Sequence, residues 1–291
     1  MHDNPQAASG RHFALSGTSV ATLEGRDAAA FAQAQFCNDV TAITPGQWQW
    51  SGWLTPKGRV MALFALLKRS DESLLLWLPD ANAVAFCDAL RRFVFRSKVV
   101  VRPREDLFAS GRFEAPAVAN GNTFDDRAGS GALELDLELD LGADGGPRCL
   151  RIGADAGAED AAAMAQWAAF DLAHGLPRLP ESQVEHWTPQ QLSLQRLNAF
   201  SVKKGCYPGQ EIVARTHFLG KVKRGLALLE GGGRIDPGAE VRAGDTAIGN
   251  VVCAAGNRFA LAVLPLERTP SALAIGGMPV QELTLREGLA R

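Results

Sequence analysis

Residues 203–211 read Lys-Lys-Gly-Cys-Tyr-Pro-Gly-Gln-Glu, a run that packing alone would not ask for. Cys206 is a thiol beside two cations, Lys203 and Lys204. Positive charge favours a thiolate, so Cys206 is the candidate reactive or ligating cysteine. Gly205 and Gly209 free the backbone on either side, and Tyr207, Gln210 and Glu211 add a phenol, an amide and a carboxylate. The plainer reading is a turn that packs a small cysteine between two elements. Between Arg196 and Arg224 stand Arg196, Lys203, Lys204, Arg215, Lys221, Lys223 and Arg224 against one carboxylate, Glu211. Such an imbalance is either a solvated face or an anion site that concentrates a polycarboxylate or an RNA backbone.

These residues need elements to position them. Residues 20–23 read as a strand, and Asp27 is placed to cap a helix carrying Phe31 and Gln35. Residues 47–54 and 59–68 are apolar runs around Thr-Pro-Lys-Gly, the pattern of a hairpin, on which Trp48, Trp50 and Trp53 are expected to divide between core and surface. A strand follows at 74–78. Asp80 is expected to cap a helix whose Phe86, Leu90 and Phe93 share a face, and a strand returns at 98–102. Residues 115–131 read as a loop or domain joint. The strict alternation over 133–141 predicts a half-buried strand with a solvated acidic face. An alanine-rich helix over 158–173 stops at Gly175 and Pro177, and a shorter helix over 190–197 leads into the 203–211 run. Beyond Gly225, short runs punctuated by glycine suggest a small β-barrel or sandwich.

At 291 residues the chain has room for two or three domains. A net charge of −2 argues against wholesale nucleic-acid binding while leaving room for a local basic patch. The first residues lack a hydrophobic signal core and no run is long enough to span a membrane, so a cytoplasmic protein is expected. The five cysteines, at 37, 87, 149, 206 and 253, form no CxxC pair and supply no zinc or iron–sulfur ligand set. His174, His186 and His217 are isolated and read as surface or cap residues rather than ligands.

The octet Lys204–Glu211, with Ile212-Val213-Ala214-Arg215 and Gly220-Lys221-Val222-Lys223-Arg224 after it, resembles the signature of the YgfZ-type folate-binding proteins, relatives of the glycine-cleavage T protein. Gly175-Leu176-Pro177, Thr188-Pro189-Gln190, Gly25-Arg26-Asp27-Ala28, Gln35, Asn38-Asp39-Val40 and residues 54–59 extend the resemblance over roughly residues 13–265. It implies an α+β fold with two ferredoxin-like aminomethyltransferase-type folate-binding lobes and a C-terminal β-barrel around a central channel. The implied segments are a disordered lead-in at 1–12, lobes at 13–115 and 116–224, and a barrel at 225–291.

The resemblance further implies a tetrahydrofolate-binding accessory protein in iron–sulfur cluster assembly or repair, with client or assembly proteins as partners and a link to tRNA-modifying enzymes. Trp167 would contact the folate ring, and Lys203, Lys204, Tyr207, Gln210, Glu211, Arg215 and Arg224 would surround it, with Cys206 as functional thiol and no metal. Two departures stand out. A second folate-contacting tryptophan of the family is replaced near Thr18. The acidic pair that the T protein uses has no counterpart in residues 58–64, and Cys206 stands where that protein has an Asp. Aminomethyl transfer is therefore not expected, since Arg59 is a poor general base. A one-carbon transferase using Cys206 and an RNA-binding accessory factor are the alternative readings.

Overall fold

The computed structural model describes residues 11–128, 135–218, 220 and 222–291. Most of the expected lead-in, residues 133 and 134 of the alternating run, and Lys221 lie outside the described residues. Among the described residues ten strands precede the barrel: β1 (Phe13–Ala14), β2 (Ser19–Glu24), β3 (Gln47–Leu54), β4 (Val60–Ser70), β5 (Ser73–Leu78), β6 (Val100–Pro103), β7 (Phe108–Arg112), β8 (Asp125–Asp126), β9 (Leu137–Asp140) and β10 (Cys149–Gly153). Four helices are α1 (Ala28–Gln35), α2 (Ala83–Arg91), α3 (Ala161–Ala173) and α4 (Gln210–Phe218).

One antiparallel sheet runs β3-β4-β5-β2-β6 and a second runs β1-β7-β10-β9-β8. Thus β1 and β7, which lie inside the stretch expected for the first lobe, hydrogen-bond in the second sheet. The strands β11 (Arg224–Gly231), β12 (Glu240–Ala243), β13 (Thr246–Ala255), β14 (Phe259–Pro265), β15 (Leu273–Ile275) and β16 (Met278–Leu283) close a barrel in the order β11-β14-β13-β12-β15-β16. Among the described residues no helix is long and apolar enough to cross a membrane.

The first sheet is buried on both faces. Leu23, Phe64, Leu66 and Leu76 pack under α1 and α2, while Trp48, Trp50, Leu63, Leu67 and Trp77 face a second core. That second core also takes Leu139, Leu150 and Trp167 from the second sheet and α3, and Leu226, Leu261 and Val263 from the barrel. Trp48, Trp50 and Trp53 are therefore all buried, contrary to the expected division, because period-two alternation here separates two cores rather than core from water. Residues 284–291, beyond the barrel, return to this junction. Leu289 is buried in the core, its carbonyl accepts the indole N–H of Trp50 at 2.9 Å, and the Arg291 guanidinium lies 5.5 Å from the Trp48 ring centroid.

Several local expectations give way to tertiary contacts. Asn82, not Asp80, caps α2, its side chain accepting from Ala85 N–H at 3.0 Å; the Asp80 carboxylate instead accepts Leu179 N–H. Asp27 precedes α1 without capping it and holds Lys98 N–H at 2.6 Å. Helix α2 ends at Arg91, leaving Phe93 outside its apolar face. The acidic face of the alternating run is not simply solvated: Glu138 is only 3% exposed and meets Arg112 and Arg127, and Asp136 meets Arg151 at 2.7 Å. Arg112 on β7, Arg127 just beyond β8 and Arg151 on β10 replace water as partners for those carboxylates. Of the helix expected at 190–197 only a 3₁₀ turn, Leu194–Leu197, forms, because Ser193 (φ 49) and Asn198 (φ 54) flank it in the left-handed region. His174 is the C-cap residue of α3, one of the two roles expected of it, and its ring is buried between the carbonyls of Phe170 and Asp144.

Candidate functional site

Three side chains of the 203–211 run, with the backbone at Gly209, hold the turn in place. Lys204 is buried, and its ammonium donates to the carbonyls of Gln33 (2.6 Å), Phe36 (2.5 Å) and Asn38 (3.0 Å). Those carbonyls lie at and just beyond the end of α1, where acceptors lack intrahelical partners and positive charge is favoured. Burial pulls the Lys204 pKa down to about 8, while the three carbonyls use all three of its N–H bonds. Tyr207 is also buried, with its hydroxyl donating to Ser201 O at 3.2 Å and its ring centroid 5.0 Å from the Lys204 ammonium; burial pushes the phenol pKa upward. Gln210 Nε2 donates to Lys204 O at 3.0 Å. Gly209 (φ +81) fits against the hairpin turn so closely that a Cβ there would stand 2.6 Å from Thr55 O and 2.7 Å from Gly58 Cα. Lys204, Tyr207 and Gln210, expected to bind folate, are thus committed to holding this turn against α1 and the hairpin.

Beside the turn opens a cavity of about 570 Å³. Ala42, Phe200, Val202 and Val222 give it apolar walls, and Asn38, Gln190, Gln195 and Asn198 bring four carboxamides. Lys203, His217 and Asp39 are its ionisable groups. Asn38 is fixed by two bonds, from Nδ2 to Trp50 O (2.7 Å) and to Asn198 O (2.6 Å). Burial acts to raise the Asp39 pKa, but hydrogen bonds from Thr41 and Gln33 outweigh it and hold the carboxyl below its usual range. Gln190 is buried; its Nε2 donates to Val213 O at 2.9 Å, and its Oε1 has no protein partner. A buried acceptor left without a donor is costly.

The other expected site residues scatter. Lys203 lines the cavity; Cys206 is exposed on the same turn but is not among the lining residues. Glu211 and Arg215 are exposed on the first and last turns of α4. Arg224 opens β11 and donates to Ile248 O at 2.9 Å, away from the cavity. Arg196 pairs with Glu287 at 2.7 Å. The described residues of the basic run therefore do not form one positive cleft. Trp167, expected on the folate ring, is a core residue: 1% exposed, it packs against Phe13 and Phe113, and the Arg148 guanidinium lies 4.3 Å from its ring centroid. The cavity carboxamides had little signal of their own. Asn38 and Gln190 fell within short motif fragments, and Gln195 and Asn198 converge only through the left-handed residues around 193–198.

No protein-family model matches the chain. It is similar to the tRNA-modifying protein YgfZ of Colwellia psychrerythraea strain 34H, 28% identical over 247 residues covering 74% of this chain and 70% of that protein. It is also similar to the tRNA-modifying protein YgfZ of Aliivibrio fischeri strain MJ11, 27% identical over 270 residues covering 86% of this chain and 84% of that one. The glycine cleavage system aminomethyltransferase T of Bartonella henselae matches its structure with a TM-score of 0.71 at 16% identity, over 95% of this chain and 87% of that one. That likeness shows the fold: a mixed arrangement of two sheets, a few helices and a closed six-stranded barrel. The resemblance to YgfZ-type proteins read from the 204–211 octet thus extends, through these relatives, over most of the chain.

Proposed function

We propose that this chain is a cytoplasmic tetrahydrofolate-binding accessory protein that takes its ligand in the cavity beside residues 203–211 and acts in the assembly or repair of iron–sulfur clusters. Its clients would include enzymes that modify tRNA, the activity named in its two relatives. The observation that carries the reading is a cavity whose apolar walls, from Ala42, Phe200, Val202 and Val222, bring together the four carboxamide residues Asn38, Gln190, Gln195 and Asn198. A pterin is a flat heterocycle with an N–H-rich edge, which suits amide acceptors between apolar walls. The glutamate tail of a folate is anionic, and Lys203 and His217 are the cationic or protonatable groups of the lining. When bound, the folate supplies one-carbon carriage; the chain's own residues hold the ring, exclude water and meet the tail. Residues 58–64 offer no carboxylate to move a proton, which favours an accessory role over aminomethyl transfer.

Calorimetric titration with tetrahydrofolate tests this. Gln190→Leu is expected to weaken binding by about 1 to 3 kcal/mol, the scale of a lost buried hydrogen bond. Lys203→Gln is expected to weaken a polyglutamylated folate more than the monoglutamate. Wild-type affinity in both variants, with unchanged melting curves, would remove the cavity as the folate site.

A further inference from the structure

Between α2 and the outer edge of the first sheet the chain reads Arg91-Arg92-Phe93-Val94-Phe95-Arg96-Ser97-Lys98, and Arg102 follows on β6. Residues 91–102 hold five cations and no carboxylate, in a chain whose net charge is −2. Two large apolar rings stand in this basic loop, Phe95 86% exposed and Phe93 49% exposed. Leaving such rings in water forgoes the burial energy that drives folding, so their exposure calls for a reason. The loop is held at both ends. Arg91 pairs with Asp88 at 2.6 Å and donates to Val101 O at 2.9 Å, and Asp27 fixes Lys98 N–H at 2.6 Å. The Phe93 ring is supported edge-on by Trp53, with centroids 5.8 Å apart. At the tip the Arg96 guanidinium lies 5.4 Å from the Phe95 ring centroid. Among the described residues β6 pairs with β2 alone, so the sheet as described ends there and the face continues to exposed Arg102.

We propose that this loop and edge form a docking surface for single-stranded RNA, separate from the cavity and independent of the folate reading. Its exposed rings offer stacking platforms to bases, because every base has a π-face. Arg92, Arg96, Lys98 and Arg102 supply the charge that a phosphate backbone needs; of the carboxylates beside the loop, Asp88 pairs with Arg91, outside these four, and Asp27 accepts the Lys98 backbone N–H. An acidic protein would use the cations without needing two bare aromatic rings; a nucleic-acid strand uses both.

The test is fluorescence anisotropy with a labelled oligouridine of about 12 nucleotides, read over a salt series. Binding is expected to fall as salt rises. Phe95→Ala is expected to lower affinity at least about fivefold while leaving retention on heparin, a polyanion without bases, unchanged. Arg92→Gln combined with Arg96→Gln is expected to reduce the log–log salt slope by about 1.4, from about 0.7 per lost phosphate contact on a single strand. All the replaced side chains are exposed, so melting curves should stay at wild-type values. Failure to bind oligouridine, equal binding by Phe95→Ala, or loss of binding through Lys203→Gln with Arg215→Gln instead would each overturn the proposal. Binding to phosphatidylserine vesicles without binding to oligouridine would assign the face to a lipid surface and also overturn it.

Discussion

Cys206 differs from the other cysteines in one physical respect. Cys37, Cys149 and Cys253 are buried, and burial pushes each thiol up to about 12; Cys87 is pushed up to about 11 by the same cause. Cys206 alone is exposed. Iodoacetamide at neutral pH is expected to modify Cys206 in the folded protein before any of the other four, as read by peptide mass mapping. Cys206→Ser should melt like the wild type, since an exposed sulfur contributes little packing, while failing to restore iron–sulfur enzyme activity in cells lacking the protein. A variant that restores that activity would reduce Cys206 to a turn residue. The sequence drew attention to this thiol, but it could not tell Lys203 from Lys204. The two neighbours carry the same charge, and only the path of the backbone sends one to the cavity and the other under the end of α1.

Gly205 and Gly209 stand on one turn but under different constraints. Gly209 is held at φ +81 against Thr55 and Gly58, whereas a Cβ on Gly205 would meet nothing within 4 Å. Gly209→Ala is expected to cost more than about 2 kcal/mol in urea unfolding, from left-handed strain plus displacement of the hairpin. Gly205→Ala is expected to stay within about 0.5 kcal/mol, as exposed substitutions do. Equal costs would mean that the hairpin contact contributes nothing. Elements set by local pattern were legible in the sequence: the hairpin at 47–70, α3, and the short strands of the barrel all follow from periodicity and punctuation. Elements decided by distant partners were not. Asp80 looks like a helix cap, but its carboxylate is taken by a backbone N–H 99 residues away, and Gln190 to Leu197 looks helical until Ser193 and Asn198 turn left-handed.

The three parts of the molecule meet at Arg178 and Leu179. Arg178 donates to Pro79 O (2.5 Å) and to Asp171 (2.6 Å), and its own N–H approaches Cys253 Sγ in the barrel at 3.4 Å. Burial raises the Asp80 pKa to about 6, against the opposing pull of Arg178 and the Leu179 N–H. A carboxyl with a raised folded pKa favours the fold below its unfolded value, near pH 4, and loses that contribution as pH rises through about 6. Asp80→Asn keeps an acceptor for Leu179 N–H and does not titrate. Its melting temperature relative to the wild type is expected to increase between about pH 4 and about pH 7. A difference that stays constant over that window would show that Asp80 ionises as freely in the folded protein as in the unfolded chain.

The bond from Trp50 to Leu289 O joins residues 239 apart in sequence. A ribosome adding about 5–20 residues per second would leave Trp50 without that partner for about 10 to 50 s after making it. During that interval Trp48, Trp50 and Trp77 form an apolar face that neither the barrel nor residues 284–291 can yet cover. Until residues 284–291 are made, the Trp50 indole lacks its acceptor and this face depends on the second sheet and α3 alone for cover.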